Sequence, residues 1–159
     1  MIICLLFCSS FSLHAADLYR RLGVGFTNQL DNGLPALSMK IQQSKVFALG
    51  AMFGMRSDQD HSLYGGGLKL YRLLYDEPQL NFYMAALFAH QNYLDENEKV
   101  RSGLQIDGTF GTEFHFAGLE SIGFSFEFGI TSRNTNAKGG SSLETLGDHF
   151  LKSAVHFYL

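Results

Sequence analysis

Ile122-Gly123-Phe124-Ser125-Phe126-Glu127-Phe128-Gly129-Ile130 alternates bulky apolar side chains with glycine, serine and glutamate. Side chains of an extended strand point to opposite faces in turn, so a period of two places every phenylalanine on one face. A helix, with 3.6 residues per turn, would scatter them around its circumference. The stretch predicts a strand with one apolar face and one small or polar face, and Thr131 and Arg133 continue the polar side.

The same alternation recurs in both directions. Leu22, Val24 and Phe26 form one set, followed by a polar turn region at Asn28 to Gly33. Leu37, Met39 and Ile41 form the next, and Gln43-Ser44-Lys45 a tight turn. Phe47, Leu49, Ala51, Phe53 and Met55 lead to a charged loop from Ser57 to His61. Tyr64, Gly66, Leu68 and Leu70 lead to a turn at Asp76-Glu77-Pro78. Leu80, Phe82, Met84, Ala86 and Phe88 precede a charged loop from Asp95 to Lys99. Leu104, Ile106, Phe110, Phe114 and Phe116 precede a short turn at Gly118. After the opening stretch, Asn134 to Gly147 reads as the longest polar loop, and a last strand runs from Asp148 to Leu159 with Leu151, Val155, Phe157 and Leu159 on one face.

Eight strands of about ten residues result, the length that crosses a bilayer at a tilt. Connections near Ser44, Pro78 and Gly118 are short; those near Asn32, Asp60, Asn97 and Gly139 are longer or more polar. Transmembrane barrels show this alternation of short periplasmic turns and longer outer loops. The expected fold class is therefore all-β: an eight-stranded antiparallel transmembrane up-and-down barrel.

Composition agrees. Hydrophobic residues make up 46% of the chain and charged residues 17%, against about 25% charged in a typical soluble domain. No run after the N-terminus is apolar for the roughly 18 residues that a spanning helix needs. A net charge of −3 offers no basic footprint for nucleic acid.

Residues 1–16 read as a signal peptide and residues 17–159 as the barrel. Ile2 to Cys8 is a short apolar core, Ser9 to Ala16 supplies small residues, and cleavage is expected after Ala15 or Ala16. A basic segment before the apolar core is missing. Both cysteines, Cys4 and Cys8, fall in this segment, so the processed chain would hold no thiol.

Alternation alone does not say which face looks inward. A soluble lipocalin-like barrel would turn Phe124, Phe126 and Phe128 to its interior. Two features favour the opposite. The polar face is rich in small residues, among them Gly25, Gly50, Gly67, Ala85 and Gly111, which make room inside a narrow barrel. Its charges also come in both signs: Arg21, Lys40, Lys69 and Lys152 against Asp107, Glu113 and Glu127. Confined charges need partners, and pairing is expected here, alongside inward Tyr71, Tyr83 and Leu87.

Lys152-Ser153-Ala154-Val155-His156-Phe157-Tyr158-Leu159 resembles the terminal signal read by the outer-membrane assembly machinery of bacteria. Lys152, Phe157 and Leu159 match its polar and hydrophobic positions, and Ala154 stands where glycine is usual. With the strand pattern, the chain resembles the small eight-stranded outer-membrane proteins, similar in design to the OmpA transmembrane domain and OmpX. The resemblance implies residence in the outer membrane of a Gram-negative cell, contact with outer-membrane lipids and lipopolysaccharide, and a monomer.

No catalytic, cofactor-binding or metal site stands out. The deacylase type of lipid A-modifying barrel uses His-x-Ser, which does not occur; His61-Ser62 is adjacent and reads as loop composition, and Ser57 to Ser62 carries no motif. Glu113, His115 and Glu127 read as members of an interior hydrogen-bond network rather than a metal or acid–base site. Tyr64-Gly65-Gly66-Gly67 lacks the ending of a phosphate loop, and His90 and His149 have no ligand spacing. Tyr19, Tyr75, Tyr93 and Tyr158 read as interfacial anchors. The expected function is a non-enzymatic envelope-structural or surface-interaction barrel plugged by its own side chains. A narrow channel for ions or small solutes is the alternative, ahead of a lipid A-modifying enzyme.

Overall fold

The structure, a computed structural model, describes residues 18–58, 61–94, 99–135, 140–145 and 151–159. The strands are β1 (Leu22–Thr27), β2 (Ala36–Gln42), β3 (Phe47–Ser57), β4 (Ser62–Glu77), β5 (Leu80–Leu94), β6 (Val100–Phe116), β7 (Leu119–Thr135), β8 (Gly140–Glu144) and β9 (Lys152–Tyr158). From β1 to β7 each strand pairs antiparallel with the next, β7 pairs with β9, and β9 returns to β1. The ring of β1–β7 and β9 is a closed eight-stranded antiparallel barrel, in which every strand is paired on both sides over part of its length.

β8 lies on the same edge of β7 as β9, further along it. Thr131 opposes Glu144 in β8, and Glu127 opposes Lys152 in β9. One stave is thus made of two segments. The sequence reading of Asn134 to Gly147 as one loop is corrected: Asn134 and Thr135 end β7, and Ser141 and Ser142 pair with Asn134 and Arg133. Within that span, residues 136–139 and 146–147 lie outside the described residues, as do His149 and the start of the expected last strand.

Strand lengths are uneven. β4 to β7 have 16, 15, 17 and 17 residues, whereas β1 and β2 have 6 and 7. The long strands exceed the expected ten because the backbone ladder continues beyond the apolar band. Asn92↔Ser102, Tyr93↔Arg101 and Leu94↔Val100 pair although their side chains no longer follow the apolar pattern. Asp76 and Glu77 likewise belong to β4, which leaves Pro78-Gln79 as the turn. Ala117-Gly118 joins β6 to β7, and Gly118 has φ of +81°, a left-handed conformation that glycine adopts without steric cost.

The two faces are unambiguous. Phe26, Leu37, Met39, Phe53, Leu68, Phe88, Ile106, Phe110, Phe126, Phe128 and Ile130 are exposed on the outside. Lys40, Lys69, Tyr71, Tyr83, Leu87, Asp107, Glu113, Glu127 and Lys152 are buried inside. The lipocalin-like arrangement, with phenylalanines inward, is excluded.

Opposite the tall wall, the barrel is low. β1 ends at Thr27, and beyond Phe53 the only strand paired with β3 is β4, among the described residues. Residues 28–35 turn into the barrel at this side. Leu30 and Leu34 are each 1% exposed, and Leu30 packs with Ala36, Met52, Leu87 and Ala89 from β2, β3 and β5. The polar turn region expected at Asn28 to Gly33 is therefore an inward-folded connection. Its apolar Leu30 finds inside the barrel the burial that an outer loop would deny it.

Candidate functional site

The lumen is the place where chemistry gathers, and its side chains form three linked layers. Nearest the short turns, Lys40 of β2 reaches Glu113 of β6 at 2.6 Å. The Tyr158 hydroxyl donates to the other oxygen of Glu113 at 2.6 Å. Ser38 and His156 Nε2 are 2.9 Å apart beside them. Arg21 donates to the carbonyl of Tyr158 at 2.7 Å.

In the middle, Lys69 of β4 pairs with Glu127 of β7. Gln29, from the inward connection, lies between them: its oxygen accepts from Lys69 at 2.7 Å and its nitrogen donates to Glu127 at 2.8 Å. Tyr83 and Thr109 also donate to Glu127, at 2.9 and 2.8 Å. The carboxylate thus gathers four kinds of donor, which is how a buried charge is held. Tyr71 and Tyr83 meet edge to face at 5.4 Å, and the Lys40 ammonium lies 4.8 Å from the first ring centre and 5.3 Å from the second. These cation–π contacts tie the first layer to the second.

The third layer is organised by Asp31 of the inward connection. Lys152 donates to it at 2.9 Å, and Arg133 lies 3.2 Å away. The Thr131 hydroxyl lies 3.0 Å from Asp31 and 2.6 Å from Asp107. One hydroxyl proton serves one of these carboxylates at a time. Gln105 donates to Asp107 at 2.7 Å and to the carbonyl of Gln29 at 3.0 Å. Gln91 and Gln105 bond to each other at 2.9 Å.

Small residues make this crossing possible. A Cβ on Gly111 would stand 2.7 Å from Glu127 Cγ and 2.7 Å from Tyr83 Cζ. Only glycine lets both side chains pass over β6.

The expected pairing of inward charges of opposite sign holds for two lysines, Lys40 with Glu113 and Lys69 with Glu127. It is corrected for Arg21, which meets the carbonyl of Tyr158, and for Lys152 and Asp107. Lys152 turns to Asp31 rather than to a wall carboxylate, because the inward connection delivers Asp31 within reach. Asp107 takes neutral donors, Thr131 and Gln105, instead of a cation. Tyr158 is no interfacial anchor: it is 3% exposed and points inward, as its place two residues from His156 on the buried face dictates. Tyr93 also lies on the inward register of β5, with a buried hydroxyl, whereas Tyr19 and Tyr75 are exposed outside.

Glu113 and His115 lie close together, near Gly123, while Glu127 belongs to the middle layer. Neither ring nitrogen of His115 finds a partner, and among the described residues no group of three His, Cys, Asp or Glu side chains is arranged to hold a metal ion. Ser62 bonds to Ser57 across the β3–β4 hairpin end at 3.2 Å, and the His61 carbonyl accepts from the Asp58 amide. His90 stands on the outer face of β5. Gln29 and Asp31 were missed by sequence reasoning; the signal was present in Leu30 and Leu34, two leucines inside an otherwise polar turn.

A closed eight-stranded barrel with an apolar exterior and a charge-paired interior is the class that fold and site define. No family model matches the chain, and no curated protein sequence does. Among solved structures, the chain is similar to the N-terminal β-barrel domain of Pseudomonas aeruginosa OprF, with a TM-score of 0.63 at 14% identity, over 89% of this chain and 98% of that one. At that identity the likeness is one of fold.

Proposed function

We propose that the chain is a non-enzymatic outer-membrane barrel with an envelope-structural or surface-interaction role, closed at rest by its own interior. The carrying observation is the inversion of faces: large apolar side chains cover the outside while ion pairs occupy the inside. Exposed apolar surface on this scale calls for an apolar surrounding, and strands of 15 to 17 residues in the tall wall exceed the length needed to cross a bilayer at a tilt. The fold of the OprF barrel domain supports the same reading.

In this proposal the N-terminal segment is removed on export by cleavage after Ala15 or Ala16, leaving a chain that starts at Ala16 or Asp17. Lys152, Ala154, Phe157 and Leu159 engage the assembly machinery, and outer-membrane lipids and lipopolysaccharide surround a monomer. A narrow channel is the second reading, favoured because the inward connection is held in the lumen by side-chain ion pairs and hydrogen bonds and not by strand pairing with the wall. Separation of inner and outer membranes by density tests the first reading. The folded protein is expected in the outer-membrane fraction, with a gel mobility that shifts on boiling; recovery in the soluble periplasmic fraction would refute it.

A further inference from the structure

The outer wall is notched across its tall side. Across β4, β5, β6 and β7 the residues Leu70, Ala86, Gly108 and Ile130 stand side by side in register. The two middle members are small, and a Cβ on Gly108 would meet nothing nearer than Ile130 at 3.9 Å. Met84 and Phe110 rise on one side of the pair, two residues along their strands, and Phe88 and Ile106 on the other. The result is an outward groove of about 540 Å³, apolar in nearly all its lining.

One end of the groove is charged. Arg72 lines it and opposes Phe47, the first residue of β3, so it stands close to the short turn that joins β2 to β3. Arg72 is exposed, and no acidic partner meets it among the described residues. From that rim the groove runs inward to Ile130 of β7, which opposes Gly108 at the middle of β6. A cation at the rim and an apolar furrow running toward mid-depth complement an amphiphile with an anionic head and a hydrocarbon tail. A guanidinium matches phosphate oxygens in particular.

We propose that this groove is a specific phospholipid site, with Arg72 on the phosphate and an acyl chain laid over Ala86 and Gly108. The short turns place it in the periplasmic leaflet. The inference rests on the membrane reading above. A lone guanidinium on a lipid-facing wall is costly unless it reaches the headgroup region and an anion, and the site supplies both.

Native mass spectrometry of the folded protein in mild detergent tests it, with dimyristoyl phosphatidylglycerol and dimyristoylglycerol as probes. The two share their chains and differ in the phosphate head. One phosphatidylglycerol per barrel is expected to be retained, about tenfold better than the diacylglycerol, as for one charge-assisted contact. Gly108→Leu fills open space and should lower retention of both probes about tenfold, the scale of a lost buried alkyl contact. Arg72→Gln should abolish the preference for phosphate while leaving the diacylglycerol unchanged. Equal retention of the two probes by the parent protein, undiminished retention by Gly108→Leu, or a barrel dimer in place of the lipid adduct would overturn the proposal. A parent protein that fails to shift on boiling would instead count against the barrel's membrane residence, which keeps the two failures apart.

Discussion

Lys69 on β4 and Glu127 on β7 pair across the lumen, although two strands, β5 and β6, separate them along the wall. The pair is therefore a chord of the barrel, and each side chain is 1% exposed. A chord of this kind fixes the cross-section and fills it at once. Gln29, bonded to both ends, attaches the inward connection to it.

Removing one end of the chord should be worse than removing both. Glu127→Ala leaves the Lys69 ammonium buried without its carboxylate, at a cost of roughly 3–5 kcal/mol. Lys69→Met combined with Glu127→Leu removes both charges and should recover most of that loss. Urea unfolding in liposomes measures the difference; a double variant no more stable than Glu127→Ala would show that the charges are not coupled.

Gly111 and Gly108 sit three residues apart on β6 and should respond oppositely to a methyl group. Gly111→Ala drives a Cβ against Tyr83 and Glu127 and should cost about 1–3 kcal/mol, the scale of overpacking. Gly108→Ala, on the open outer face, should be neutral or slightly stabilising. Equal effects in the same unfolding assay would contradict the assignment of inner and outer faces.

Phe126 lies on the outer face in the middle of β7, stacked on Phe114 at 5.8 Å. Phe126→Arg should destabilise the barrel in liposomes by about 2–4 kcal/mol, the midplane penalty for a cation facing lipid. Phe126→Leu should cost far less. An arginine tolerated as well as leucine would mean that this face does not meet hydrocarbon.

Asp31 anchors the inward connection through Lys152 and Thr131, with Arg133 close by. Asp31→Ala should free residues 28–35 from the lumen while the backbone ladder stays intact. Amide exchange at Leu30 and Leu34 should then accelerate, with exchange in β4 to β7 unchanged. Uniform acceleration throughout the barrel would show that Asp31 supports the whole fold and not this connection alone.

The strand content, the order of strands and the faces of the barrel are legible because one residue of register error would exchange the two faces wholesale. Phe124, Phe126 and Phe128 leave no choice once the small residues opposite them are noticed. That inward charges of both signs must meet is legible for the same reason; which lysine takes which carboxylate is decided only by the register and tilt of the strands. What alternation cannot carry is the path of a connection. Leu30 and Leu34 follow no strand period, so the inward turn of residues 28–35, and with it the roles of Gln29 and Asp31, emerges only in three dimensions. The strand pairing of β8 is hidden likewise, since Gly140–Glu144 is short, polar and glycine-led and gains its structure from the free edge of β7. Tyr158 was misread because a tyrosine near a strand end suits an interface, whereas its register on β9 sends it inward.

The central claim is that this barrel is closed by its interior, and planar-bilayer recording of the purified, unmodified protein tests it most directly. Paired charges crossing a narrow lumen, with the 28–35 connection folded among them, predict small or intermittent conductance, raised by Glu127→Ala or Asp31→Ala. A large, steady conductance from the unmodified protein would contradict the account and make the channel reading the first one.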